Sequence, residues 1–252
     1  MRREMKKRVK AFCSILLRRG NLYPEWVESV PGERFMVLSP HPDDEVLGCG
    51  GTIARIVESG KRVEIVHLTD GERGTRKWKS SHALAEMRRK EALAAATILG
   101  AEAPTFLGLP DLGLSGSKTA EGLLREIIVS RKPDAIFLPF FLDPHLDHEA
   151  AARLLVRILE SEKQKPFCYV YETWMPVPAN ALVDISGQIE KKLMALEAHA
   201  SQNAQMDLVD ISKSLSRYRA IYSLGKATYA EAFLGLDAGE YLELGRGLFH
   251  EA

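Results

Sequence analysis

An α/β fold built on a largely parallel sheet is what this sequence predicts, and three observations predict it. Strand-like apolar runs alternate with helix-period segments from residue 35 to residue 172, the pattern left by successive β-α-β crossovers. Two of those runs, FMVL at Phe35–Leu38 and AIFLPFFL at Ala135–Leu142, lead straight into short segments dense in acids and histidines. Composition is that of an ordinary globular enzyme, with 252 residues, 46% hydrophobic and 27% charged.

The first element expected is a basic amphipathic helix within residues 1–30. MRREMKKRVKAFCSILLRRG holds eight Lys or Arg and one acid, with Met5, Val9, Phe12, Leu16 and Leu17 near one helical face. Its apolar stretch AFCSILL ends after seven residues, far short of the ~20 that span a bilayer, and no small-residue cleavage site follows. Two roles stay open for it: docking on the enzyme body or another subunit, or a peripheral membrane contact through its basic face.

A single α/β domain over 31–252 follows. Strands are expected at Phe35–Leu38, Arg62–Thr69, Pro104–Leu107, Ala135–Phe140 and Phe167–Glu172, because these runs are apolar and β-branched or aromatic. Helices fill the gaps at Glu45–Ser59, Ser81–Leu99, Thr119–Ser130 and His148–Leu159, the first two closed by Gly60 and Gly100. The five strands are expected in the Rossmann-like order 3-2-1-4-5, which makes the first and fourth neighbours and puts a crevice at their C-terminal ends. GCGG at Gly48–Gly51 lies inside the first helix, not in a strand-to-helix turn, so close helix-sheet packing explains it better than a nucleotide loop. From Met175 onward the chain is read as a lid-like extension around the pocket. Pro176 and Pro178 interrupt it, ALVDIS forms a strand ending on Ser186 as N-cap, and IEKKLMALEAHA forms a helix.

Formal net charge is zero, so no bulk field draws the chain to nucleic acid or to anionic membranes. Cys13, Cys49 and Cys168 are too few and too scattered for a disulfide framework or zinc knuckle. A reducing cytoplasm is the expected location.

The chemistry lies in SPHPDDEVLGCGG at Ser39–Gly51 and DPHLDHEAA at Asp143–Ala151. His41 and Asp44 can face one point across the strand-to-helix turn, while Asp43 between them projects elsewhere, free to handle a proton. His148 opens the second helix, and His145 and Asp147 stand in the loop before it. Two neutral imidazoles and one carboxylate suit a borderline cation such as zinc and leave a position open for water. Any one of these residues alone is usually a cap or a solvated loop group; two such clusters at strand C-termini are not explained by capping.

These motifs resemble the PIG-L/LmbE-like deacetylases, zinc hydrolases that remove an N-acetyl group from a glucosamine unit of a small conjugate. The likeness extends to TDGERGTR at Thr69–Arg76, RRKEALAAATILG at Arg88–Gly100, FLGLPDLGL at Phe106–Leu114, ALEAHASQ at Ala195–Gln202 and YAEAF at Tyr229–Phe233. It implies one zinc per chain on His41, Asp44 and His148, with Asp43 as general base. It also implies that His145 stabilises the oxyanion and protonates the leaving amine, with Asp147 orienting it. An amino-sugar conjugate is the implied substrate, and trimers or hexamers the implied assemblies. Phe140 and Phe141 stand where many relatives carry smaller or polar residues, a departure expected to bear on the acceptor pocket. Glu45 is placed either in support of the first helical turn or behind a ligand. Arg73 or Arg76 is expected to grip a sugar hydroxyl or anionic aglycone, and His199 to sit at the pocket rim. Two other classes stay open: a metal-dependent phosphoesterase or non-haem iron enzyme, since the same donors suit Fe2+, and a binding module with a dead site, which intact Asp43 and His145 argue against.

Overall fold

Both faces of a parallel strand must be covered, and the strand β2 (Arg34–Ser39) carries apolar side chains on both. Phe35 and Val37 point into one core while Met36 and Leu38 point into the other, all four buried, as the two-residue period of a strand requires. In this computed structural model, which describes residues 23–74 and 81–249, β2 sits inside an eight-stranded sheet. The other strands are β1 (Glu25–Trp26), β3 (Arg62–Thr69), β4 (Thr105–Leu109), β5 (Ala135–Pro139), β6 (Phe167–Tyr171), β7 (Ala181–Asp184) and β8 (Ala230–Leu236). They run in the order β1-β7-β8-β6-β5-β2-β3-β4. From β4 to β6 every neighbouring pair is parallel, and β8 is antiparallel to both its neighbours.

Helices cover both faces. The helices α1 (Asp44–Glu58), α2 (Ser81–Leu99) and α5 (Ile189–Ala198) contribute Val46, Ile53, Leu99, Leu193 and Leu196 to the core beside Phe35. On the opposite face α3 (Lys118–Arg131), α4 (Leu146–Ser161) and α8 (Ala238–Phe249) contribute Leu124, Ile128, Leu155, Ile158 and Leu244. Between α5 and β8 come the short α6 (Ala200–Asn203) and α7 (Leu208–Arg219). The glycines of α1 serve close packing: a Cβ at Gly48 would overlap the Tyr171 ring of β6, and one at Gly51 would press on Ile185.

One expectation falls outside the described residues, and two change. The N-terminal helix lies outside the described residues up to residue 22, and of the rest of that span Glu25–Trp26 forms an edge strand beside Ala181–Leu182. The C-terminal segment is not a lid. Its strands β7 and β8 prolong the sheet, because AEAFLGL is buried along its whole length and fits an internal position. Ser186 does not cap α5; its hydroxyl donates to Asp184 (2.6 Å) and accepts from the backbone N–H of Thr228 (2.8 Å), leaving Gln188 at the helix start.

The start of β2 is stitched to β5 by Asp134, whose carboxylate accepts the N–H groups of Glu33 and Arg34 and the Arg34 guanidinium, each at 3.0 Å. The guanidinium first, and the Glu33 amide after it, hold this carboxyl at about 2. A carboxyl depressed in the folded state stabilises it above the unfolded pKa of about 4, and that contribution fades as pH falls toward 2. Asp134→Ala should lower stability at pH 7 by about 1 kcal/mol, the pair being partly solvated. In thermal unfolding from pH 6 to pH 2, the gap between wild type and variant should close below about pH 4; a constant gap would contradict it.

Candidate metal centre

β2 and β5 pair directly, so the loops carrying the two acidic-histidine motifs leave the sheet side by side. Asp44 is the hub. Its Oδ2 accepts the His41 N–H at 2.9 Å and lies 3.1 Å from both His41 Nδ1 and His148 Nε2. Each imidazole is backed by carboxylate on its other nitrogen. His148 Nδ1 faces Asp143 at 3.1 Å, while His41 Nε2 faces Asp147 at 3.2 Å and Asp111 at 3.3 Å. A carboxylate behind an imidazole takes its N–H and leaves the opposite lone pair for an ion. In keeping with this, His148 Nε2 is fully buried and its one close polar neighbour, Asp44 Oδ2, is not aligned as a hydrogen-bond acceptor. Against the penalty of burial, the carboxylates of Asp44 and Asp143 raise His148 to about 9, a level at which a divalent cation and a proton compete for the same nitrogen.

Donor atoms also converge in two wider sets, His41 with His145 and His148, and His41 with Asp111 and Asp147, each within 4.8 Å. In the second set the carboxylates are already engaged by backbone N–H groups, Asp147 by Leu112 (2.7 Å) and Asp111 by Arg73 (3.2 Å). That marks them as supports of His41. Two imidazoles and a carboxylate on one point fit a borderline divalent cation.

Asp43 turns the chain into α1 with φ of 125°, a conformation that costs a side-chain-bearing residue about 1–3 kcal/mol and concentrates at functional sites. Its N–H donates to Glu45 Oε2 (3.1 Å), which also accepts the Ser39 hydroxyl (2.8 Å). Arg88 reaches its carboxylate at 3.1 Å while donating to Gly71 O (3.0 Å). Burial, only partly offset by that guanidinium, pushes Asp43 up to about 7.

His145 caps α4: its Nδ1 accepts the Asp147 N–H at 3.2 Å, so the neutral ring carries its proton on Nε2. Burial, then the nearby charges of His41 and His148, lower its pKa and keep it neutral.

Several expectations are corrected here. The Asp147 carboxylate does not meet His145; it meets His41 and the Leu112 amide, because the first turn of α4 points it toward the loop after β4. His199 is not at the rim. It is fully buried, 3.8 Å from Glu45. Phe140 and Phe141 are buried in the core beside α3 and α4 and line no mouth. Glu45 lies beneath the centre between the buried rings of His67 (3.9 Å) and His199. Arg73 is exposed, and Arg76 lies outside the described residues. Asp111, Asp143 and Arg88 carry support roles that the sequence reading did not assign, although all three stand in the segments singled out there.

The GlcNAc-PI de-N-acetylase (PIG-L) family model matches residues 36–159, spanning both motifs. A 1D-myo-inositol 2-acetamido-2-deoxy-alpha-D-glucopyranoside deacetylase of Mycobacterium sp. (strain KMS) is 30% identical over 71% of this chain and 76% of its own length. The chain belongs to the PIG-L family. This PIG-L protein also superposes on the N,N'-diacetylchitobiose deacetylase of Pyrococcus horikoshii with a TM-score of 0.73, at 27% identity over 83% of this chain and 86% of that one. A 4-oxalmesaconate hydratase of Pseudomonas putida is 26% identical over 87% of this chain and 90% of its length. PIG-L deacetylases are metal-dependent, and the donors gathered here could hold such an ion. Among the described residues of this PIG-L chain, no helix is long and apolar enough to cross a membrane.

Proposed function

We propose that the chain is a zinc-dependent N-deacetylase that hydrolyses the acetamide of an N-acetylglucosamine conjugate to acetate and the free amine. The observation carrying this reading is the pair of imidazoles, His41 and His148, each backed by a carboxylate and each 3.1 Å from Asp44 Oδ2. Those three residues would hold the ion. Bound there, zinc supplies a Lewis acid that polarises the acetamide carbonyl and sharpens water.

The chain does the rest. Asp43, poised near 7 and aimed by its strained backbone, accepts the proton of the attacking water. The neutral His145 donates its Nε2–H as a hydrogen bond to the oxygen on which charge develops. Since a neutral imidazole has no acidic proton to give up, the proton that Asp43 took from water is the one passed to the departing nitrogen as the C–N bond breaks. Asp147 and Asp111 hold the His41 ring and Asp143 holds that of His148.

The kinship with a hydratase favours one second reading, water addition to an unsaturated acid at the same centre. Acids crowd His41, which repels an anionic substrate and favours amide hydrolysis. Acetate release from N-acetylglucosamine conjugates by chelator-treated protein reloaded with zinc or Fe2+ decides between them. His41→Ala, Asp44→Ala and His148→Ala should each lower bound metal, since each removes one of three ligands. Full occupancy in all three variants overturns the ligand set; phosphate release or oxygen uptake in place of acetate overturns the reaction.

A further inference from the structure

Single exposed apolar side chains are ordinary on a protein surface, whereas a group of them around a polar centre marks a binding surface. Leu112, Leu142, Leu146, Trp174 and Met175 are all exposed. Leu112, Leu142, Trp174 and Met175 stand in the loops after β4, β5 and β6, and Leu146 opens α4 directly after the second of these; the three strands are parallel and their C-terminal ends lie at the same end of the sheet as the metal centre.

Their backbones are tied to the centre's own supports. Leu112 donates its N–H to Asp147 (2.7 Å) and Trp174 donates its N–H to Asp143 (3.0 Å), the acids standing behind His41 and His148. Leu146, 66% exposed, sits between His145 and Asp147 at the first position of α4. Leu112 is held with φ of 65°, which a leucine adopts only where its surroundings impose it. Leu112 and Trp174 are thus held against the centre, and the exposed side chains at these five positions are hydrocarbon, which offers a polyhydroxylated or anionic aglycone no hydrogen-bond donor.

We infer that this apolar collar is the aglycone subsite, and that the aglycone presents an alkyl or aryl surface directly beside the amino sugar. The inference rests on the deacetylase reading and names the substrate class for that same centre.

The test compares methyl and hexyl glycosides of N-acetylglucosamine with the zinc-loaded enzyme. The hexyl compound should show a kcat/KM higher by roughly tenfold, carried by KM, since two or three buried methylenes suffice for that factor. In Leu146→Ser/Trp174→Ser the ratio should fall toward one; both side chains are exposed, and an unchanged melting temperature verifies the fold. Calorimetry with hexyl and methyl glucosides, which lack the acetamide, should give the same preference without turnover. Equal kinetics and equal binding for the two chain lengths overturn the inference. So does a preference that survives the double substitution, or a variant that changes only the oligomeric mass, which would make the collar a subunit interface. If neither glycoside yields acetate while the hexyl glucoside still binds tighter and the double variant abolishes that difference, the deacetylase reading fails and the collar stands.

Discussion

Asp43→Asn is expected to lower kcat by roughly 10²–10⁴-fold while bound metal stays at the wild-type level. The amide fills the same space and can still meet Arg88, but it cannot accept a proton. The neighbouring Asp44 bridges His41 and His148 and is untouched by the change. Metal content by elemental analysis, set beside kcat on one N-acetylglucosamine conjugate, checks it. If the variant loses its metal and Asp44→Asn keeps it, the two aspartates have been given each other's roles.

The largest expected loss of stability comes from a residue outside the metal centre. α1 is broken at Cys49, whose φ of −148° and ψ of 22° are not helical. Glu231 of β8 accepts the freed N–H groups of Gly51 (2.9 Å) and Thr52 (2.7 Å), and Lys192 of α5 donates to Leu47 O (2.9 Å). Lys192 and Glu231 pair at 2.6 Å with both side chains 2% exposed. Removing one partner of such a pair strands a buried charge, and here two backbone amides as well. Glu231→Ala should therefore destabilise by about 3–5 kcal/mol, lowering Tm by roughly 10 °C in a chain of this size. A loss under about 1 kcal/mol in urea unfolding would show that water or a relaxed helix replaces the carboxylate.

Much of this architecture is legible in the sequence up to Tyr171, and the physical reason is that internal strands there are short, apolar on both faces and separated by capped helices. The tail is less so. AEAFLGL carries no alternation of apolar and polar residues, and only its complete burial shows that it belongs inside the sheet. The site divides in the same way. His41, Asp43, Asp44, His145, Asp147 and His148 stand in two contiguous motifs whose density of donors is itself a signal, and the structure gathers them. Asp111 and Arg88 are single charged residues in segments that carry no cluster of donors, and only the approach of the loop after β4 and of α2 to the loop after β2 reveals what they support. His199 is misplaced for a related reason: a lone histidine in a helical segment gives no indication of which way its ring points, and here it points inward at Glu45.

The break at Cys49 ties α1 to β8 in time as well as in space. The amides it frees wait for a carboxylate lying 180 residues further on, and contacts of such sequence separation form late because their loop-closure entropy must first be met. A nascent chain that has already emitted both motifs still lacks Glu231, so the Gly51 and Thr52 amides of α1 have no carboxylate to meet until β8 has been made. A truncation before β8 should therefore leave the two motifs intact in sequence on a helix that lacks its carboxylate partner, and bound metal per chain should fall below that of the full chain.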